Sequence, residues 1–204
     1  MAGFDGSAAA SGISSRMDLL PDLAVPADAV RRFRRGEYDE LVRLGMFEGE
    51  HVELLYGVIV HMTPQGSEHF WAANRLAQLL ILATGDRAFV AVQSGFAASD
   101  DSEPEPDVAV YPPGDYWAAL PDSPLLVVEV AKSSLRHDRR VKATLYAEVG
   151  VPEYWLVDLV NRVVTIHRLP ADGAWTHVET VAHDGVVSPA ALPDVAMRVA
   201  NFVR

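Results

Sequence analysis

Three acidic residues stand where an isolated carboxylate is costly. Glu129 lies inside Leu125-Leu-Val-Val-Glu-Val130, an apolar run of the kind that forms a strand buried on both faces. An ionised carboxylate there costs several kcal/mol unless it is paired or bound to a cation. Asp107 follows Pro106 at the entry of a second apolar strand, a position where proline removes no ladder donor. Glu53 sits among apolar neighbours in His51-Val-Glu-Leu-Leu55. One such acid reads as a salt-bridged core residue; three on separate short strands leave that reading and a divalent-cation site open together. Carboxylate and water oxygens suit a hard cation, Mg²⁺ or Mn²⁺. Such an ion would polarise a phosphoryl oxygen and lower the pKa of an attacking water, with a lysine alongside to position that water or steady the developing charge. Zinc hydrolysis has little support, because the chain has no cysteine and no HExxH.

Lysines are few. Lys132 follows Glu129 by three residues and would point to the opposite face of a continuing strand. Lys142 shares a helix face with Asp138 and Tyr146, one turn away on either side; it is either a surface partner of Asp138 or the cation of the site. His69 reads as a structural residue at a helix start, or as a group supporting the ligands or shuttling a proton, and Gln93 poses the same choice. Tyr154, Trp155, Trp71 and Trp117 read as packing residues rather than base-stacking platforms. Glu153 would pair with a basic group or a sister subunit. Arg31, Arg32, Arg34 and Arg35 form the densest positive cluster, either a solvated helix start or linker or a phosphate-contacting arm. A second basic segment, Arg136, His137, Arg139, Arg140 and Lys142, adjoins the presumptive site.

The elements that must position these groups follow from periodicity and punctuation. Residues 1–16 have the small, polar composition of a flexible tail, leaving 17–204 as a single domain. Glu37–Leu44 reads as a helix closed by Gly45. His51–Met62 reads as a hairpin turning at Tyr56-Gly57. Phe70, Ala73, Leu76, Leu80 and Ala83 recur at helical spacing, which predicts a helix from a Ser67 cap to Ala83. Strands are expected at Ala88–Ala97, Val108–Tyr111 and Leu125–Val130, a helix at Asp138–Val149, a strand pair at Tyr154–Leu159 and Val163–Leu169, and an edge strand at Trp175–Val181. The order implies an α/β or α+β fold, a mixed sheet flanked by helices.

Composition bounds the function. The 204 residues are 50% apolar, enough for one core, and no apolar run approaches the roughly 20 residues of a membrane helix. The absence of cysteine excludes disulfides and thiolate chemistry and fits a cytoplasmic protein. With 17 basic against 28 acidic residues, a net charge of -11, the whole molecule repels phosphate backbones. A DNA partner must be held by a local basic patch or through bound cations.

Pro106-Asp107 followed by Glu129-Val-Ala131 resembles the PD-(D/E)XK nuclease pattern, with Ala131 where that pattern has its lysine. Val52-Glu-Leu-Leu-Tyr-Gly-Val-Ile59, His69, Pro106-Asp-Val-Ala-Val110, Leu126-Val-Val-Glu-Val-Ala131, Ser133-Ser-Leu135, Asp138, Lys142, Tyr146 and Gly150-Val-Pro-Glu-Tyr-Trp-Leu-Val-Asp158 together resemble the Uma-two family of restriction-endonuclease-like proteins. The resemblance spans about Glu37 to Asn201. It implies a restriction-endonuclease-like core in which Asp107 and Glu129 bind Mg²⁺ or Mn²⁺, Glu53 adds a further acid, and the lysine has migrated to Lys142. The implied activity is metal-dependent hydrolysis of phosphodiester bonds in DNA by an endonuclease, with a homodimer as one way to cut both strands. The alternative is a catalytically silent binding or regulatory protein on the same fold, since a lost lysine is also how such a fold becomes inert.

Overall fold

The computed structural model describes residues 29–132 and 136–204, and of 136–139 the backbone alone. The expected tail, residues 1–16, and Ser133-Ser-Leu135 lie outside that range, as do the side chains of Arg136, His137, Asp138 and Arg139. Helix α1 (Arg35–Arg43) starts two residues before the expected Glu37, because Glu37 accepts the Arg34 N–H at 2.9 Å and satisfies an orphan donor there. Gly45, at φ 74°, follows it as expected. Three of the four clustered arginines have partners within the chain: Arg31 pairs with Glu37 at the surface, Arg35 with Asp39 at 3.5 Å, and Arg32 Nη1 donates to the Tyr56 carbonyl at 2.7 Å.

Strands β1 (Val52–Leu55) and β2 (Val58–His61) form the predicted hairpin, with Glu53 opposite Val60. Its turn residues, Tyr56 and Gly57, both have positive φ, 50° and 76°, as a two-residue hairpin loop of matching twist requires. Tyr56 holds this unusual conformation through its partners. Its N–H donates to Ser102 Oγ at 2.9 Å and its hydroxyl to Glu148 at 2.8 Å.

Helix α2 (Ser67–Thr84) has the predicted length, but Gly66 is its N-cap and Ser67 its first helical residue. Ala73, Leu76 and Leu80 of the predicted face are buried, with Ala72 and Ala77 beside them, whereas Phe70, 62% exposed, and Ala83 face solvent and are corrected. The main sheet has six strands, in the order β3 (Phe89–Val92), β4 (Val108–Tyr111), β5 (Leu126–Ala131), β6 (Glu153–Asp158), β7 (Val163–Ala171) and β8 (Ala174–Ala182). All neighbours are antiparallel except β5 and β6. That parallel pair is joined by α3 (Arg136–Glu148), since parallel strands need a crossover. Two short strands, β9 (Val186–Val187) and β10 (Met197–Arg198), pair separately; at two residues each they carry no readable period.

Alternation along the central strands sorts the two faces. Val108, Val110, Val128 and Val130 pack with the buried face of α2, and Val195, Val199 and Phe202 complete that core. Ala109, Tyr111 and Val127 pack on the other side with Tyr146 of α3 and Tyr154. Leu76 and Leu80 are each 0% exposed; burying one such side chain contributes roughly 1.5–3 kcal/mol, and Leu76→Ala would cost about 2–5 kcal/mol through the cavity left.

Two expectations are corrected. The strand expected over Ala88–Ala97 stops at Val92, because Gln93 takes φ 47° and leaves the extended region. Trp117, expected to pack, is 94% exposed on the loop after β4. Tyr154 and Trp155 are fully buried as expected. Trp71 is half-buried beneath the Arg204 guanidinium, 4.2 Å from its ring centre.

Candidate active site

The antiparallel register sets the two principal acids side by side. Val108 is opposite Val128, so one step further along both strands Asp107 stands opposite Glu129. Glu129 shares a face with Val127, the side covered by α3, and Lys142 reaches it from the middle of that helix. Lys142 Nζ lies 3.0 Å from Glu129 Oε1 and 2.9 Å from Glu53 Oε2. Lys142 is buried between these two acids. Tyr146, one turn on, donates its hydroxyl to the same Glu129 oxygen at 2.7 Å. Glu53 also accepts the Glu105 N–H at 2.9 Å. The side chains of Glu53, Glu129 and Lys142 are only 7%, 15% and 11% exposed.

Asp107 is held from three directions. Its Oδ1 lies 2.7 Å from His69 Nε2 and accepts from Gln65 Nε2 at 3.1 Å; its Oδ2 accepts the Val130 N–H at 2.7 Å. The last bond replaces a ladder partner just beyond the start of β4, which fixes the carboxylate to the end of β5. Gln93 stands one step back, donating to Gln65 Oε1 at 2.5 Å. His69 therefore contacts the Asp107 carboxylate directly; the Gln93 side chain reaches it through Gln65, while the Gln93 N–H donates to the Asp107 carbonyl at 3.1 Å. Lys132 lies just beyond the end of β5, so strand parity does not govern it; it pairs with Glu68, 3.0 Å distant, and lines the same pocket. Glu153 belongs elsewhere: buried, it accepts from Arg168 and Trp155, each at 2.8 Å, so a basic group within the chain is its partner.

These groups line one pocket of about 500 Å³, together with Glu105 and an apolar wall that includes Leu55, Val60 and Val141. Electrostatically the pocket is short of positive charge, with the carboxyl groups of Glu53, Glu105, Asp107 and Glu129 set against the ammonium groups of Lys142 and of Lys132, the latter paired with Glu68. Burial, then the charges of Asp107 and Glu53, push Glu129 up to about 7 despite the lysine. Glu105 is raised by burial and by Glu53. Burial alone would lower Lys142, but Glu129 and Glu53 outweigh it and drive it upward, so the lysine stays charged.

Among the described residues no three His, Asp or Glu side chains are grouped to hold a metal ion. The expected convergence of Glu53, Asp107 and Glu129 on one point is corrected accordingly. Lys142 stands between Glu53 and Glu129, and the hydrogen bonds of Asp107 run to His69, Gln65 and Val130. The donor chemistry nevertheless fits a hard cation: oxygen ligands, opposed across two strands, in a pocket with excess negative charge. Sequence reasoning missed Gln65 and Glu105. The Glu103-Pro-Glu-Pro-Asp107 spacing signalled Glu105, since prolines on both sides hold the segment extended; Gln65 carried no signal beyond its place before a helix.

The Uma2 family model, described as "Putative restriction endonuclease", matches residues 36–200. A crystal structure described as a putative nuclease belonging to DUF820, from Anabaena variabilis ATCC 29413, superposes with a TM-score of 0.63 at 17% identity. The match covers 80% of this chain and 95% of that one, and at such identity it establishes the fold. No curated protein matches the chain. With a family match running from α1 to the final turn and enclosing every pocket residue named above, the chain belongs to the Uma2 family and carries its restriction-endonuclease-like fold.

Proposed function

We propose that the chain is a divalent-cation-dependent endonuclease that hydrolyses phosphodiester bonds in DNA. The observation that carries this reading is the position of Lys142, 2.9 Å from Glu53 and 3.0 Å from Glu129, in a pocket that also contains Asp107. The lysine absent from position 131 has a counterpart on α3 whose ammonium stands beside an active-site carboxylate. Asp107 and Glu129 would hold the cation, Mg²⁺ or Mn²⁺. When bound there it supplies Lewis acidity, polarising a phosphoryl oxygen and making a nearby water more acidic.

The chain's own residues do the rest. Tyr146 and Lys142 both donate to Oε1 of Glu129, which locks its rotamer. His69, Gln65 and the Val130 N–H fix Asp107. Lys142 places a fixed positive charge in a water-poor pocket, where it stabilises the negative charge that grows on the phosphoryl oxygens during inline attack. Glu53 holds the lysine in position, which makes it a positioning residue. Cutting both strands of a duplex would engage two copies of the chain, a dimer that sedimentation would detect. No helix among the described residues is long and apolar enough to cross a membrane, and the cysteine-free chain suits the cytoplasm.

One observation favours the silent-binding alternative. Lys142 is engaged by two carboxylates at once, so its charge is already neutralised before any substrate arrives. Incubating the full chain with supercoiled, linear and single-stranded DNA in Mg²⁺ and in Mn²⁺ separates the two. Cleavage by the wild type that Glu129→Ala lacks supports the enzyme; no cleavage of any form with either ion makes the binding protein the better reading.

A further inference from the structure

We infer that the pocket seats an unpaired nucleotide, so that the substrate is a single-stranded or locally unpaired polynucleotide whose base enters the apolar half of the pocket while its phosphodiester meets the carboxylates. The inference rests on the nuclease reading for the second half of that statement and on the pocket alone for the first.

Depth is the first argument. The Asp107 and Glu129 side chains are 5% and 15% exposed, so a scissile phosphate must descend to them. The cavity, about 500 Å³, is of small-molecule size. A rigid duplex carries its phosphates on the outside of a rod that cannot enter such a space, whereas a single nucleotide unit can.

The wall chemistry is the second argument. Leu55, Val60, Met62, Val130 and Val141 line the pocket along with the acids, with Leu55, Val130 and Val141 buried in the surrounding core. An aliphatic wall offers nothing to a sugar-phosphate backbone but matches the apolar faces of a base, the arrangement used where a base is taken out of its stack. His61 and Thr63, exposed residues that also line the pocket, provide donors and acceptors for a base edge.

Charge is the third. Duplex binding draws its affinity from a row of phosphate contacts. Here Arg31, Arg32 and Arg35 of the densest basic cluster are held by Glu37, the Tyr56 carbonyl and Asp39, and the pocket itself is acidic. A substrate that gains affinity from one buried base needs fewer phosphate contacts.

The test measures binding apart from turnover. Fluorescence anisotropy of the full chain in Ca²⁺ compares a labelled single strand with its perfect duplex, and a 2-aminopurine base in the single strand reports burial. The single strand should bind at least about tenfold more tightly, within the range a single seated base supplies. Val60→Trp, which fills the pocket, should remove that advantage and the 2-aminopurine change. Met62→Trp, nearer the rim, serves if a thermal melt shows that the first variant is unfolded. Duplex bound as tightly as single strand, or both folded variants binding like wild type, overturns the inference. Single-strand binding without cleavage in Mg²⁺ or Mn²⁺ supports the pocket and refutes the nuclease reading; cleavage that prefers perfect duplex does the reverse.

Discussion

Glu129 carries both the strain and the chemistry of the pocket. Its folded pKa, about 7, lies above the ordinary 4.5, so it stabilises the fold least when ionised. The stability it allows is fully present below about 4.5 and is lost as pH rises through 7, a loss on the order of 3 kcal/mol for a shift of this size. Glu129→Gln keeps an oxygen acceptor for Lys142 and Tyr146 but carries no charge. Its melting temperature should therefore fall less than that of the wild type between pH 4.5 and 7, where Glu103 and Glu105 lower both proteins alike, and exceed the wild type at pH 8. Glu103, raised to about 8 by burial and its bond with Asp39, titrates in both proteins and cancels in the comparison. Mg²⁺ or Mn²⁺ should raise the wild-type melting temperature more at pH 8 than at pH 5, because protons compete for the same oxygens. The shift should shrink in Asp107→Asn, and equal shifts would mean that cations bind elsewhere. Lys142→Ala should lower any cleavage about 100- to 1000-fold and should also destabilise, since it leaves Glu53 and Glu129 buried beside each other.

At the scale of elements, the site is where two helices, one hairpin and two strand ends meet, and the strand and the hairpin can each be tested alone. Ala131 shares the face of Glu129 on β5 and lines the pocket, so Ala131→Lys in the Lys142→Ala background should restore part of the cleavage from the strand. Absence of any rescue in a folded double variant would refute the exchange of the lysine between β5 and α3. The β1–β2 hairpin, which delivers Glu53, depends on its turn. At Gly57 a Cβ would lie 2.5 Å from Arg32 Cβ and 2.9 Å from the Phe33 carbonyl oxygen, at φ 76°. Gly57→Ala should cost at least about 2 kcal/mol, seen as a lowered denaturant midpoint, with any activity falling further as Glu53 is displaced.

Across the whole molecule, charge decides how a polyanion is met. With a net charge of -11 and three of its four clustered arginines already engaged within the chain, the chain should make few phosphate contacts. DNA binding measured between low and moderate salt should show a log-log slope of magnitude below about 3, where a protein contacting many phosphates shows a much steeper one. Chelation of divalent ions should weaken binding more than salt does. A steep slope that persists in chelator would reveal a basic surface outside the described residues.

Element positions were legible because the chain repeats its signals: the period of α2, the Tyr56-Gly57 turn, the glycines after α1 and α3, and the apolar run of β5 are local features that any packing must respect. Asp107, Glu129 and Glu53 stood out for a similar local reason, the cost of a carboxylate among apolar neighbours. Gln93 shows the limit of the method, because its positive φ ended β3 against the apolar pattern. The partnerships were not local. Asp138 and Lys142 are one helical turn apart, yet Lys142 pairs with Glu53 and Glu129 from two other elements, and Asp107 is anchored by Gln65, His69 and the end of β5. Composition and periodicity determined that this chain forms a mixed sheet with helices and carries unusually placed acids. Only the tertiary structure decided which charge neutralises which, because ion pairing in a buried pocket is set by strand register and helix docking, neither of which is encoded within hydrogen-bonding distance along the chain.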